Sequence, residues 1–322
     1  MILAADIGGT TTRLGIFDPA RRRPQQLAGR VYSTLDFPDL TAIIAAFLQA
    51  EAIDRTTIDR ASFGVAGPVF DGAADLTNVP WRVEARRVAA AFRISKVALL
   101  NDLQAMAHAV PVLNDAELHV LQTGERDADG NITLIAAGTG LGIALLHNVN
   151  GRLVPSPSEG GHADYAARTD REIALLRDLT ARFGRAEVEH VVSGPGLVNI
   201  HRVTHDVPCE AAIDLADAEA PAGITKAALE QRCAGCVEAL EVFVGAYGAA
   251  AGNLALGMVA TGGVYIGGGI APKILPALET GTFLNAFSAK PPFEAMLKKM
   301  PVKVILNDEA GLLGAAVFGA NL

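Results

Sequence analysis

Leu3-Ala4-Ala5-Asp6-Ile7-Gly8-Gly9-Thr10-Thr11-Thr12-Arg13-Leu14-Gly15-Ile16-Phe17 is the stretch that most restricts what this chain can fold into. Apolar residues run up to Asp6 and alternation resumes at Leu14, so the pattern predicts strand, tight turn, strand. Gly8 and Gly9 sit at the bend, where a missing Cβ lets another group approach the backbone. N–H groups in such a turn can converge on an anion, and Thr10, Thr11 and Thr12 add hydroxyls. No Gly-Lys-Ser/Thr and no helix follow, which excludes a Walker loop. The glycine spacing and the second strand exclude a Rossmann fingerprint. An ordinary Gly-Gly hairpin bend fits the same residues.

The theme returns at Ile132-Thr133-Leu134-Ile135-Ala136-Ala137-Gly138-Thr139-Gly140-Leu141-Gly142-Ile143-Ala144-Leu145-Leu146, again strand, Gly/Thr turn, strand. Two such hairpins suggest duplicated lobes. A third Gly turn closes the strand Gly263-Val264-Tyr265-Ile266-Gly267-Gly268-Gly269-Ile270. Between these landmarks the pattern predicts helices over 39–52, 84–92, 103–110 and 170–183, and a largely helical 225–258. Strands are expected over 60–69, 96–100 and 300–306, and a small-residue helix over 308–318. The acidic, Ala/Pro-rich stretch 207–223 reads as a surface excursion.

With 322 residues, two lobes are expected: a small α/β domain over 1–110, with 302–322 packing back onto it, and a large α/β domain over 111–301. A formal charge of −8 argues against a nucleic-acid surface, and Arg21-Arg22-Arg23 reads as a solvated tip. The strand begins almost at once, so no signal peptide is expected. No apolar run reads as a membrane span. Three cysteines point to a reducing cytoplasm.

Chemistry concentrates in three places. Asn101-Asp102 follows the apolar strand 96–100, and ligands of open α/β sheets bind at such strand ends. Asp102 fits a general base that takes a hydroxyl proton; the same pair fits a helix N-cap. Ser158-Glu159-Gly160-Gly161-His162 sets an acceptor and a donor/acceptor on a flexible loop, as a polyhydroxylated ligand requires. The Gly turns at 8–9, 138–142 and 267–269 could cradle one nucleotide, or pack closely at strand ends. Cys233-x-x-Cys236 has half a zinc pattern without a second ligand pair, so packing rather than metal is expected.

Taken together, Asp6-Ile-Gly-Gly-Thr10, Gly64-Val-Ala-Gly-Pro68, Thr77-Asn78 with Trp81, Leu100-Asn-Asp-Leu103, Gly138-Thr-Gly-Leu-Gly142, Ser158-Glu-Gly-Gly-His162, Ser193-Gly-Pro-Gly-Leu197 and Gly267-Gly-Gly-Ile-Ala-Pro272 stand in the order found in bacterial glucokinases. The chain thus resembles the hexokinase-type enzymes of the actin-like ATPase superfamily from its first strand to Gly311-Leu-Leu-Gly-Ala-Ala316. The resemblance implies a two-lobed, ribonuclease H-like α/β fold in which glucose binds in a cleft that closes on it. It implies ATP and Mg²⁺, with Asp6, Gly8, Gly9, Thr10, Thr139 and Gly140 at the phosphates, Asp6 oriented toward the metal, and Gly268 and Gly269 near the adenosine. Asn78, Asn101, Asp102, Glu159, His162 and Glu189 would bind glucose hydroxyls, with Asp102 the general base and Glu187 a rival for the role of Glu189. Thr11 departs from the asparagine frequent there. The Cys-rich motif of the repressor/open-reading-frame/kinase sugar kinases is absent as a full pattern, which favours a zinc-free branch. Family likeness suggests a homodimer. A sugar-sensing regulator on the same fold is the rival reading, weakened because Asp6 leaves no room before it for a helix-turn-helix. Fructose or mannose in place of glucose is a second rival.

Overall fold

The computed structural model describes residues 1–19, 22–76, 79–205 and 207–322. The chain divides into two compact units, one of Met1–Asn114 with Asn307–Leu322, the other of Asp115–Leu306.

In the first unit, β1 (Ile2–Ile7), β2 (Thr11–Asp18) and β3 (Gln25–Ser33) form an antiparallel meander. Next come α1 (Leu40–Ala50), β4 (Arg60–Val65), a small ribbon of β5 (Ala73–Asp75) and β6 (Arg82–Glu84), α2 (Ala85–Phe92), β7 (Lys96–Asn101) and α3 (Asp102–Ala109). β4 lies parallel to β1, and β7 parallel to β4, giving the sheet order β3-β2-β1-β4-β7. β1 is buried almost throughout, as expected of a central strand covered on both faces. α1 starts where the Asp39 side chain accepts a hydrogen bond from Ala42 N at 2.9 Å, and it buries Ile43, Ile44 and Phe47.

The second unit contains β8 (Leu118–Gln122), β9 (Ile132–Ala137), β10 (Leu141–Val149) and β11 (Arg152–Ser158), followed by helices α4 (Asp170–Phe183), α5 (Gly194–Thr204), α6 (Ala220–Leu229) and α7 (Ala234–Met258). β12 (Gly263–Gly267), the short helices α8 (Leu275–Leu278), α9 (Thr282–Ser288) and α10 (Glu294–Leu297), and β13 (Val302–Ile305) complete it. The sheet order is β11-β10-β9-β12-β13-β8. Its first five strands repeat the first unit's plan: an antiparallel meander, then two parallel strands beside the first strand of the meander.

Three expectations need correction. The span 302–322 does not act as one piece. Val302–Ile305 pairs in parallel with β12 inside the second unit's sheet, because its alternating apolar residues find a sheet edge there. From Asn307 onward the chain belongs to the first unit, where α11 (Ala310–Ala320) packs on α3, β1 and β4. Its glycines permit this: a Cβ at Gly314 would collide with the Ala105 carbonyl. The second correction concerns 225–258, which is two helices broken at Gln231, whose φ is +56°. The third concerns apolar length. α7 spans 25 residues, and its most apolar 18-residue stretch has a mean hydropathy of 1.3, enough to cross a membrane by length and composition. Ala239, Phe243, Tyr247 and Ala251 on it are fully buried in the second unit's core, which accounts for its apolarity. Arg21 of the expected basic tip lies outside the described residues.

Candidate active site

The first Gly turn joins β1 to β2, with Ile7 opposite Thr12. Gly8 N donates to Thr11 O at 2.9 Å. Thr34, just after β3, clamps the turn from the side. Its N–H donates to Thr10 O and its hydroxyl to Gly8 O, both at 2.9 Å, while Thr12 Oγ1 lies 2.9 Å from Thr34 Oγ1. These bonds consume carbonyls and leave the N–H groups of Gly9 and Thr10 without a protein acceptor among the described residues. Asp6 stands one residue below the turn, opposite Arg13. It retains some solvent exposure, yet burial of its carboxyl pushes the pKa up, and the Arg13 charge only partly opposes this. A Cβ added at Gly311, in the first turn of α11, would lie 2.6 Å from Asp6 Oδ2.

Asn101 and Asp102 mark the junction of β7 and α3. Asn101 is the N-cap: its Oδ1 accepts from Leu103 N at 3.0 Å and Gln104 N at 3.3 Å. Its amide donates to Gly67 O at 3.3 Å. Asp102 is the first helical residue, partly exposed, with Oδ1 accepting from Leu103 N at 2.8 Å. The cap of this pair therefore belongs to Asn101. Asn78 lies outside the described residues, as does Thr77.

In the second unit the turn between β9 and β10 is closed by Gly138 N donating to Gly140 O at 2.8 Å. Glu189 supplies the carboxylate here, its Oε2 accepting from Leu141 N at 2.7 Å. Gly140 is pressed against it, so that a Cβ there would lie 2.7 Å from Glu189 Oε2. Gly138 O accepts from Gly194 N at 2.8 Å, joining the turn to the start of α5. Ser193 caps that helix through Gly196 N at 3.0 Å and donates to Glu189 O at 2.7 Å. The third turn rests on the second. Gly268 has φ +83°, and any Cβ on it would strike the Ala137 carbonyl. Tyr247, fully buried on α7, gathers both strand ends: its hydroxyl accepts from Ala137 N at 3.2 Å and lies 3.3 Å from Gly267 O.

These pieces open onto one pocket of about 990 Å³, bordered by Gly138, Thr139, Gly194, Gly269, Arg202 and Lys273. It lies at the upper end of the range for small-molecule sites. The α5 N-terminus brings a positive dipole end to it, while the charged side chains of its lining are balanced, with Arg202, Lys226 and Lys273 set against Asp217, Glu219 and Glu230. Gly140 and Gly268 stand behind the wall rather than on it.

The third grouping is also in the second unit. Glu159 and His162 follow β11 and are exposed. His162 Nδ1 lies 2.8 Å from Glu187 Oε2, and Glu189 N donates to Gly161 O at 2.9 Å. The Glu187 hydrogen bond raises the His162 pKa above its usual value; Glu189 and Glu159 add to this, while partial burial opposes it. Glu187 is correspondingly held below the usual carboxylate range by His162. Of the two rival glutamates, Glu187 pairs with the histidine and Glu189 with the Gly turn. Sequence reasoning missed Thr34, which carries no local signal, and Tyr247, marked only as a polar-tipped side chain in the small-residue run Gly245-Ala246-Tyr247-Gly248-Ala249.

The glucokinase family model matches residues 3–322. The chain belongs to the glucokinase family. It is 37% identical to a glucokinase of Synechocystis sp., over 99% of this chain and 98% of that one. The solved glucokinase from an Antarctic psychrotroph is 31% identical, with a TM-score of 0.85 over 100% of this chain and 99% of its own. A glucokinase from Streptomyces griseus, solved in complex with glucose and AMPPNP, shares the fold at 20% identity and a TM-score of 0.68, over 100% of this chain and 99% of its own. The α/β units are thus those of the actin-like ATPase fold.

Proposed function

We propose that the chain transfers the γ-phosphoryl group of ATP to the 6-hydroxyl of glucose, with Asp102 taking the hydroxyl proton. Membership of the glucokinase family makes it a glucose kinase; the roles of individual residues are the proposal. As the proton passes to Asp102, O6 forms its bond to the γ-phosphorus. The bond from that phosphorus to the bridging oxygen breaks, and ADP leaves. The product is glucose 6-phosphate.

The observation that carries the nucleotide half is the pocket bordered by Gly138, Thr139, Gly194 and Gly269. The N–H groups of Thr139, on the lining, and of Gly140, next to it, have no backbone acceptor among the described residues and suit phosphate oxygens; Gly269, on the lining with Gly268 before it, suits adenosine. Gly8, Gly9 and Thr10 offer a second set of donors. Mg²⁺ fits Asp6, because a carboxyl that burial drives toward its neutral form is one that a cation would keep charged. Bound there, the metal would neutralise phosphate charge. The sugar half rests on side chains of complementary type. Asn101, Glu159, His162 and Glu189 would hold hydroxyls, as would Asn78. Glu187 would act through His162 by fixing its ring. Cytoplasmic location and a homodimer belong to the same reading.

A coupled ADP-release assay over a panel of sugars, with ATP, Mg²⁺ and a no-sugar control, tests this. Release with glucose should far exceed the control. Comparable release with and without every sugar would overturn the kinase reading, and a stronger response to fructose or mannose would replace the sugar.

A further inference from the structure

Cys233 and Cys236 are not isolated, contrary to the expectation from their spacing. His205 and Cys209, which precede α6 in the chain, lie against them. Cys209 Sγ lies 3.8 Å from Cys233 Sγ and 3.8 Å from Cys236 Sγ. His205 Nε2 lies 3.3 Å from Cys233 Sγ and 3.9 Å from Cys236 Sγ. Sequence spacing hid this because the second pair of ligands reads His-x-x-x-Cys and sits at the end of another helix.

We infer that His205, Cys209, Cys233 and Cys236 form a structural zinc site. A tetrahedral ion with Zn–S near 2.3 Å and Zn–N near 2.0–2.1 Å sets ligand edges of about 3.8 Å between sulfurs and about 3.5 Å between nitrogen and sulfur. The four distances fall around those edges. A disulfide would need sulfurs about 2.05 Å apart, and all three cysteines are free. His205 is oriented for the task. Its Nδ1 lies 2.8 Å from the His201 carbonyl, the second contact that leaves Nε2 as the ligand. The His201 ring stacks on it at 3.6 Å between centroids. Gly235 makes room, since a Cβ there would lie 2.6 Å from His205 Nε2.

Cys233 is the N-cap of α7 and Cys236 lies in its first turn. Zinc binding would displace the three thiol protons and keep the imidazole neutral. The ion would clip the chain after α5 to the start of the second unit's longest helix. None of its four residues is among those assigned to the sugar or the nucleotide.

The full chain, expressed and purified without added metal or chelator, should carry one zinc per chain by mass spectrometry of the metal. A thiol-directed mercurial should release it with all three cysteines. Replacement by Co²⁺ should give the intense visible bands of a tetrahedral ion and thiolate-to-cobalt charge transfer. Cys209→Ser, Cys233→Ser and Cys236→Ser should each lose the metal and lower the melting temperature, whereas His201→Ala should keep it. The Co²⁺ spectrum of the unaltered chain serves where a variant fails to fold. Fully reduced protein that is metal-free and takes up no added Zn²⁺ overturns the site. Zinc retained in Cys233→Ser but lost in His201→Ala overturns this ligand set.

Discussion

The two units build the same sheet order around a Gly turn, yet they furnish the turn with acid in different ways. In the first, the carboxylate grows from the strand itself, as Asp6 beneath Gly8. The matching strand position of the second is Ala136, opposite Gly142. There the acid arrives from outside, as Glu189 bonded to Leu141 N. The clamps differ as well: Thr34 holds the first turn, and α5 with Tyr247 holds the second. The backbone device, a short turn that leaves N–H groups pointing outward, tolerates a change of everything around it. What distinguishes the units is the side chains hung on that device.

The largest expected effect tests the first unit's claim on the chemistry. Asp102→Asn should lower kcat by about 10²–10⁴-fold, the usual contribution of a general base. Glucose affinity and melting temperature should change little, since Asn101 provides the cap. A kcat within a few-fold of the parent would remove Asp102 as the base. A collapse of melting temperature alongside kcat would make the residue structural after all.

Next comes a direct contest between the turns. Gly268→Ala should destabilise by on the order of 1–3 kcal/mol from its left-handed backbone alone, and more from collision with Ala137 O, raising the KM for ATP. Gly8→Ala meets only Thr11 O at 3.0 Å and should cost less. Thermal melts and ATP kinetics on both variants decide it, and equal losses would erase the distinction.

A smaller effect is expected at the sugar loop. His162→Ala should raise the KM for glucose by roughly 2- to 13-fold, the equivalent of about 0.5–1.5 kcal/mol for one hydrogen bond, with ATP affinity unchanged. An altered ATP affinity instead would move His162 to the nucleotide side.

The smallest effect is a titration. The pKa of His162 is raised in the folded chain, so the ion pair's contribution is fully present below the ordinary value of 6.5. It fades as pH rises through the higher folded value. Glu187→Gln should bring the NMR-measured pKa of His162 down. Since His162 is half exposed, the change in melting temperature should be slight. An unchanged pKa would show that Glu187 does not govern the imidazole.

The strand–turn–strand repeats were legible because alternation and Gly/Thr turns are local signals, and two of them imply the shared sheet order. The helix at 170–183 was legible for the same reason. The pocket was legible in part: the turns at 138–142 and 267–269 read as one cradle, but the place of Gly194 beside them emerges only after β9, α5 and β12 are packed. Asn101 and Asp102 were adjacent candidates for one cap, and only backbone geometry assigns it. Val302–Ile305 reads as a strand in isolation, but which sheet takes it depends on parallel pairing with β12. His205 and Cys209 stayed hidden because a break and a helix intervene before Cys233.

The packing of α11 on β1, β4 and α3 has a consequence for the order of events at the ribosome. The helix that covers the first unit's sheet and sets Gly311 against Asp6 is encoded after the whole second unit, roughly 190 residues later. At about 5–20 residues per second, the early strands wait on the order of 10–40 s for it. During that interval the buried faces of Ile2, Ala4 and Leu100, which pack with Leu312 and Ala315 in the finished fold, stand uncovered. The second unit can be complete before the first is. Released chains truncated before Ala310 should therefore protect the second unit from protease while leaving the first open to it.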